Sequence, residues 1–172
     1  MLLDAPTLIC FSGLPGVGKT TIAKLLASIL KTPYLRIDTI EQAILKSSIK
    51  PNDIGDAGYQ VAYSIAKDNL ASKQSIISDS VNPYMTIRDR WLTIVQETKA
   101  RIIEVEIICS DVKIHKMRVE NRLPDIEGHL LPKWEEVIEF NYSKWTREHL
   151  IIDTALNEPD ECIRIITRNL CR

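Results

Sequence analysis

The stretch GLPGVGKT occupies residues 13–20 and decides the fold of this chain. It matches the phosphate-binding loop pattern G-x-x-x-x-G-K-S/T at every defined position. The apolar run TLICF at 7–11 precedes it and predicts a buried strand, while the apolar-periodic run TIAKLLASIL at 21–30 follows it and predicts a helix. A strand, a glycine-rich loop and a helix in this order are the arrangement that binds nucleotide phosphates.

Each residue type in this stretch suits a phosphate ligand. Gly13, Gly16 and Gly18 have no side chain, so the backbone can curl closely around an anion with its N–H groups pointing inward. Lys19 is a mobile positive charge for the β- and γ-phosphates, and the Thr20 hydroxyl is an oxygen ligand for a hard cation. We therefore predict ATP and Mg²⁺ as cofactors. The residues predicted to bind the nucleotide are Gly13, Leu14, Pro15, Gly16, Val17, Gly18, Lys19, Thr20 and Thr21.

Length and composition are those of an ordinary globular protein. The chain has 172 residues, of which 45% are hydrophobic and 26% are charged, with a net charge of −1. We predict one domain over 1–172, and the balanced charge does not indicate a nucleic-acid partner. No apolar run reaches the length of a membrane span, and the first residues lack a signal-peptide pattern. We therefore expect a cytoplasmic protein without a membrane partner, and the sequence leaves its oligomeric state open.

Predicted strands alternate with predicted helices, which is typical of an α/β fold with a largely parallel sheet. The predicted strands lie at 7–11, 33–37, 75–79, 102–108 and 149–153. The predicted helices lie at 19–31, 39–47, 56–72, 84–98, 111–122, 133–145 and 158–170. The segment 123–132 has no periodicity, and we interpret it as a mobile lid; it is called the lid segment below.

With these elements in order, the chain resembles the small P-loop kinases, and more narrowly the kinases near zeta toxin and chloramphenicol phosphotransferase. The resemblance covers nearly the whole chain. The motifs that carry it are GLPGVGKT with TIAKLLA, LRID at 35–38, IISDSVNP at 76–83, RVENR at 118–122 and IIDTALNEP at 151–159. It implies a P-loop NTPase three-layer sandwich: a five-stranded parallel sheet in the order 2-3-1-4-5, helices on both faces and a small helical lid at about 118–145. It also implies transfer of the ATP γ-phosphoryl group to a small-molecule acceptor.

Two acidic residues at predicted strand ends are candidate site residues. Asp38 follows the second predicted strand and Asp79 ends the third, so both are expected at the crevice edge of the sheet. The resemblance implies that Asp38 contacts the acceptor hydroxyl, which it can orient and deprotonate; the alternative is that it caps the helix near Thr39. Asp79 can hold Mg²⁺ directly or through water, and the alternative is a simple turn. Arg36 is expected at the strand end, paired with an acid.

Arginines before the lid segment are the remaining candidates. Arg118 and Arg122 lie four residues apart and share one helix face. The resemblance implies that they close over the phosphates, where forked guanidinium groups match phosphoryl oxygens; the alternative is a solvated surface. Arg88 and Arg90 lie two apart and cannot share a face, and a surface position is the alternative to a cleft position for Arg88. The resemblance also implies that TALN, at 154–157, lies on the adenine side.

We interpret the chain as an ATP-dependent kinase for a hydroxyl acceptor that the sequence does not identify. The predicted catalytic residues are Lys19, Asp38, Arg118 and Arg122, and the predicted metal ligands are Thr20 and Asp79. One alternative is a regulatory ATPase that signals through loop ordering and needs no acceptor site. Another is a polynucleotide 5′-hydroxyl kinase, which needs a basic cleft. Within the resembling family, a toxin with a nucleotide-sugar acceptor is a further alternative.

Overall fold

A five-stranded parallel sheet forms the centre of the computed structural model, which describes residues 5–49, 51 and 53–170. Its strands are β1 Thr7–Ser12, β2 Tyr34–Arg36, β3 Ile76–Asp79, β4 Arg101–Ile108 and β5 Leu150–Asp153. They are arranged in the order β2-β3-β1-β4-β5, and every neighbouring pair is parallel. The predicted sheet order is therefore confirmed, and the carboxyl ends of all five strands lie along one edge, where a ligand crevice can form.

Helices cover both faces of the sheet. They are α1 Lys19–Leu30, α2 Ile37–Lys46, α3 Ala57–Ala71, α4 Met85–Thr98, α5 Val112–Asn121, α6 Trp134–Ile138 and α7 Pro159–Leu170. Alternate residues of β1 divide between the two cores, since Ile9 and Phe11 pack with α1 and α7 while Leu8 and Cys10 pack with α3 and α4. This confirms the three-layer arrangement. Within the described ranges, no helix is both long and apolar enough to cross a membrane.

The predicted helix at 133–145 is wrong over most of its length. Helix α6 ends at Ile138, and the chain from 139 to 149 has no regular structure. Its aromatic residues are used differently, because the Arg88 guanidinium lies 4.6 Å from the Tyr142 ring centre and 4.2 Å from the Trp145 ring centre. Tyr142 and Trp145 thus place two rings around one buried cation instead of continuing the helix.

The surface alternative for Arg88 is also wrong. Arg88 is 1% exposed. Its Nε donates to the Asn82 carbonyl at 2.8 Å, its Nη1 to the Ser143 carbonyl at 2.9 Å, and its Nη2 to the Pro83 carbonyl at 3.3 Å. Arg88 thereby joins the turn after β3 to the irregular segment after α6, and its role in the fold is structural.

Two helix ends differ from the predictions and affect the site. Helix α2 begins at Ile37, so Asp38 lies in its first turn, and the helix has no side-chain cap. The capping alternative for Asp38 is therefore wrong. Helix α5 ends at Asn121 and leaves Arg122 as its C-cap, with an extended backbone. Arg118 and Arg122 consequently do not share a helix face in the way that their spacing predicted.

Candidate active site

The loop between β1 and α1 has a backbone that requires glycine. Gly13 and Gly16 have φ angles of +132° and +84°. A Cβ atom at Gly13 would lie 2.1 Å from the Ile107 carbonyl oxygen, and one at Gly16 would lie 2.4 Å from Val119 Cγ2. The loop therefore packs directly against β4 and α5, and a side chain at either glycine would push it out of this position.

His115 holds the same loop from α5. Its Nε2 lies 2.8 Å from the Pro15 carbonyl oxygen, and because a carbonyl can only accept, the Nε2 atom is the donor. The ring is buried and meets Trp134 edge-on, with centroids 5.2 Å apart. The spacing of the histidines along the chain gives no signal of this contact, which depends on how α5 packs on the loop.

Lys19 lies inside the loop. Its side chain is buried, with 8% of the residue exposed, and Nζ donates to the Leu14 carbonyl at 2.9 Å. Burial lowers the pKa of Lys19 to about 8, and the charges of Asp79 and Asp38 partly oppose this shift. The lysine is thus a poorly solvated cation that gains from an added anion.

Thr20 and Asp79 meet at the start of α1. Thr20 Oγ1 donates to Asp79 Oδ2 at 2.7 Å, and the Tyr34 hydroxyl donates to the same oxygen at 2.6 Å. Asp79 is 2% exposed, and burial followed by the Asp79 charge raises the pKa of Tyr34, which keeps the phenol a donor. A hydroxyl and a carboxylate beside a phosphate loop fit Mg²⁺, which uses one or two protein oxygens when it also binds phosphates. In the described part of the chain, no cluster of three or more His, Cys, Asp or Glu forms a separate metal site.

Arg36 connects Asp38 to the lid segment. Its Nε donates to Asp38 Oδ2 at 3.3 Å, and its Nη1 donates to both oxygens of Asp125 at 2.8 and 2.7 Å. Lys24 Nζ makes a further ion pair with Asp125 at 2.7 Å, and His129 Nε2 lies 4.0 Å from Asp38 Oδ2. The prediction that Arg36 pairs with an acid at the strand end is confirmed.

The two arginines before the lid segment reach different parts of the crevice. Arg118 Nη1 donates to Thr154 Oγ1 at 2.8 Å and its Nη2 to the Thr154 carbonyl at 3.1 Å, so it lies beside the turn after β5. The Nε and Nη2 atoms of Arg122 are buried and have no hydrogen-bond partner within the described structure. Burial lowers the pKa of Arg122, and the nearby Asp38 charge opposes this. Arg122 lines the crevice, and these two buried donors need a hydrogen-bond acceptor that the described structure does not supply.

A cavity of about 870 Å³ joins these groups, and this volume is within the usual range for small-molecule sites. Among the predicted catalytic and metal-binding residues, its wall includes Lys19, Thr20, Asp38, Asp79, Arg118 and Arg122. Among the other predicted nucleotide-binding residues, Pro15, Gly16, Gly18 and Thr21 line it. Val17 instead packs in the core, and Gly13 packs against β4.

Several groups at the site were missed by sequence reasoning. They are Tyr34, His115, Asp125 and His129. Asp125 and His129 lie in a segment without periodicity, and each acts through a partner far away in sequence. The one available signal was the occurrence of these polar side chains in a lid segment that follows two arginines.

Comparison with known proteins gives a family and a fold group. Residues 7–156 match the family described as chromatin associated protein KTI12. The Pseudomonas aeruginosa protein named "Probable adenylyl-sulfate kinase" is 28% identical over 131 residues, which are 69% of this chain and 59% of that protein. The match thus spans less than two thirds of that relative's length.

Two solved structures have the same fold. The APS kinase of Mycobacterium tuberculosis in complex with AMPPNP and APS has a TM-score of 0.73 at 14% identity, covering 98% of this chain and 99% of that one. Chaetomium thermophilum Kti12 in complex with ADP-AlF3 has a TM-score of 0.68 at 18% identity, covering 95% of this chain and 98% of that one. These two likenesses show the fold alone. Together with the family match and the Pseudomonas aeruginosa relative, they support the wider P-loop kinase group and not the narrower resemblance to zeta toxin and chloramphenicol phosphotransferase.

Proposed function

Because this chain belongs to the family described as chromatin associated protein KTI12 and has a P-loop kinase fold, we propose that it transfers the γ-phosphoryl group of ATP·Mg to a hydroxyl of a small-molecule acceptor. The observation that carries this proposal is the shared crevice, in which the phosphate-binding loop faces Asp38 and the unpartnered guanidinium of Arg122. A protein that only bound nucleotide would need neither group beside the γ-phosphate.

The loop and α1 supply the donor side. Backbone N–H groups of the cavity-lining residues Gly16, Gly18, Lys19 and Thr20 bind the phosphates of ATP. The positive end of α1 and the poorly solvated charge of Lys19 add to this binding. Thr20 and Asp79 would hold the metal, since this hydroxyl and carboxylate meet 2.7 Å apart at the start of α1. Bound Mg²⁺ supplies positive charge that stabilises the phosphoryl oxygens.

Asp38 and Arg122 act on the transferring group. Asp38 orients the acceptor hydroxyl and accepts its proton as the hydroxyl oxygen bonds to the γ-phosphorus and the bond to the β–γ bridging oxygen breaks, which releases ADP. The Arg122 guanidinium turns toward the equatorial oxygens, which supply the acceptors that its buried Nε and Nη2 atoms lack among the described residues. Arg118, which is bonded to Thr154, holds the nucleotide at its adenosine end. The lid segment excludes water, which would compete with the acceptor.

A screen of hydroxyl compounds for ADP formation above the water background tests the proposal, with Lys19→Ala as the blank. The panel includes sugars, polyols, hydroxy acids and a 5′-hydroxyl oligonucleotide. Asp38→Asn is expected to lower acceptor-dependent turnover by about 100-fold or more and to leave the affinity for ATP unchanged. The proposal fails if no compound raises turnover in a protein that binds ATP.

A regulatory ATPase is the second candidate, and one contact favours it. Lys24 on the nucleotide-binding helix α1 pairs with Asp125 in the lid segment at 2.7 Å, so a change at the phosphates can reach the lid. Such a protein would keep its ATP turnover in the Asp38→Asn variant. Its lid segment would also differ in hydrogen exchange between the ATP-analogue and ADP states, with no acceptor present.

A further inference from the structure

The crevice wall next to Asp38 contains a buried cation whose main partner is contributed by the lid segment. The Arg36 side chain is 8% exposed, and Nη1 makes two bonds to Asp125, at 2.8 and 2.7 Å. The Asp125 side chain is 47% exposed and lies in a stretch without helix or strand. The cation is therefore part of the fixed sheet edge, while its carboxylate partner comes from the covering segment.

The strength of this pairing comes from Arg36 and Lys24 together. Hydrogen bonds from Arg36 and then from Lys24 hold the pKa of Asp125 well below its usual range. Burial alone would lower the pKa of Arg36. The hydrogen bonds to Asp125 and the charge of Asp38 outweigh this effect, so the pKa of Arg36 is raised. A carboxylate between two cations is the arrangement that proteins use to bind acidic ligands.

The lid segment adjoins Asp38, since His129 Nε2 lies 4.0 Å from Asp38 Oδ2. A movement of the lid segment that made room for the acceptor would therefore take the main partner away from Arg36. When Asp125 leaves with the lid segment, Nη1 loses both of its bonds, and Asp38 remains attached only to Nε at 3.3 Å. A buried guanidinium that loses its partner carries a large penalty. A neutral acceptor would leave this penalty in place, whereas an acidic group on the acceptor would remove it.

On this basis we propose that Arg36 and Lys24 form a subsite for an acidic group of the acceptor, a carboxylate or a phosphate, and that Asp125 occupies this subsite as an internal competitor. The inference rests on the proposed kinase function. It narrows the acceptor to a hydroxy acid or a phosphorylated alcohol. Because Nε of the same guanidinium bonds to Asp38, an acid group on Nη1 leaves the acceptor hydroxyl beside the proton-accepting carboxylate.

A second ion pair in the lid segment provides a matched control. Glu127 pairs with Lys46 at 2.9 Å, and both side chains are exposed to solvent. If Asp125 did no more than fasten the lid segment, removing either acid would loosen it without creating a new binding site. If Asp125 is a competitor, only its removal exposes the two cations.

The test measures acid binding without turnover, by NMR titration of the protein saturated with AMPPNP and Mg²⁺, which fills the phosphate-binding loop. Inorganic phosphate and acetate are the two probes, and methanol is the neutral control. Asp125→Asn is expected to raise the affinity for one of the two acids about tenfold, which corresponds to roughly one charge-assisted hydrogen bond. The probe whose affinity rises shows whether the subsite prefers phosphate or carboxylate. Glu127→Gln is expected to leave both affinities unchanged.

Two variants of Arg36 complete the experiment. The double variant Asp125→Asn with Arg36→Gln is expected to lose the affinity that Asp125→Asn gained. The double variant Asp125→Asn with Arg36→Lys is expected to keep part of that affinity, because it keeps the positive charge. The inference is overturned if Asp125→Asn tightens neither acid, or if the gain survives Arg36→Gln. If a neutral acceptor is turned over and neither acid binds, the kinase proposal stands and the subsite is refuted. If an acid binds and no acceptor is turned over, the anion site stands and the kinase proposal is refuted.

Discussion

Thr20 Oγ1 lies 2.7 Å from Asp79 Oδ2, and this bond joins the first turn of α1 to the carboxyl end of β3. The two residues are 59 positions apart in the chain. They meet because β1 pairs in parallel with β3, with Phe11 opposite Asp79 in the register. The meeting of these two proposed metal ligands thus follows from the sheet order, and we expect any change that breaks the pair to act through Mg²⁺.

Asp79→Asn is expected to raise the Mg²⁺ concentration for half-maximal turnover by about 100-fold, because a neutral amide is a poor ligand for a hard cation. Tyr34→Phe removes one donor to the same carboxylate and should have a smaller effect of about tenfold. The measurement is ATP turnover as a function of Mg²⁺ concentration. An unchanged Mg²⁺ dependence in Asp79→Asn would show that Asp79 has no part in the metal site.

The low pKa of Lys19 predicts a pH dependence of nucleotide binding. Burial lowers this pKa to about 8, so the free protein loses the charge as pH rises through that value. ATP·Mg affinity should then fall by about tenfold per pH unit above it, since binding selects the protonated lysine. Titrations from about pH 7 to about pH 9, roughly one unit on either side of that pKa, are compared with Lys19→Ala, which should bind weakly and without pH dependence. A parallel fall in both proteins would assign the effect to another group.

The lowered pKa of Lys19 also makes the free energy of unfolding depend on pH. Between pH values near 8 and the ordinary lysine value, the unfolded chain binds more protons at this site than the folded one. The free energy of unfolding should therefore increase with pH in that window through the Lys19 contribution, and Lys19→Ala should lack this increase. Urea denaturation of both proteins across the window provides the comparison.

Gly13 and Gly55 form a matched pair of left-handed glycines. An added Cβ at Gly13 would meet the Ile107 carbonyl oxygen at 2.1 Å, whereas at Gly55, with φ +49°, it would meet nothing within 4 Å. Gly55→Ala should lower the free energy of unfolding by about 1 kcal/mol through backbone strain alone. Gly13→Ala should lower it by at least about 3 kcal/mol, because a backbone atom must move. Equal losses in urea denaturation would contradict the packing of the loop on β4.

The predicted parts of the fold are those with local signals. Strands β1 and β3 are short apolar runs, and the loop at 13–20 has a fixed spacing, so these strands and the donor side of the crevice were predictable. The sheet order came from the resemblance to the small P-loop kinases. The same holds for Asp79, which ends β3, and for Asp38, which follows the end of β2 in the first turn of α2. Both lie at the edge where the carboxyl ends of parallel strands bring ligands together. The crevice therefore follows from patterns that span a few residues each.

The contacts that were missed join distant segments without periodicity. Arg36 and Asp125 are 89 residues apart, and nothing in either segment indicates the other. The aromatic residues after α6 have helical spacing, yet they surround Arg88 in an irregular segment. Here a buried cation with three carbonyl partners outweighs local helix propensity, and such tertiary effects do not appear in one sequence.

Arg88 and Arg90 allow a buried arginine to be compared with a surface arginine on the same helix. Arg88 is buried and bonds to three carbonyls, whereas Arg90, two positions along α4, is exposed. Arg88→Ala should lower the free energy of unfolding by about 3 kcal/mol or more, because it leaves a cavity and unpaired carbonyls. Arg90→Ala should change it by no more than about 0.5 kcal/mol. Similar losses for the two variants, measured in urea, would contradict the buried position of Arg88.

Arg122 should show the opposite behaviour, which is expected of a residue kept for function. Its Nε and Nη2 atoms are buried without partners within the described structure, and burial lowers its pKa. Removing it relieves that penalty, so Arg122→Ala should leave the free energy of unfolding unchanged or higher.

Catalysis should respond in the other direction. We expect acceptor-dependent turnover to fall by about 100-fold or more in Arg122→Ala, because the transferring group loses charge stabilisation, and to recover partly in Arg122→Lys. Arg118→Ala is the matched comparison: it breaks the bonds to Thr154 and should raise the KM for ATP more than it lowers kcat. If Arg122→Ala is destabilised like Arg88→Ala and keeps its turnover, Arg122 is a structural residue and the transferring group is stabilised elsewhere.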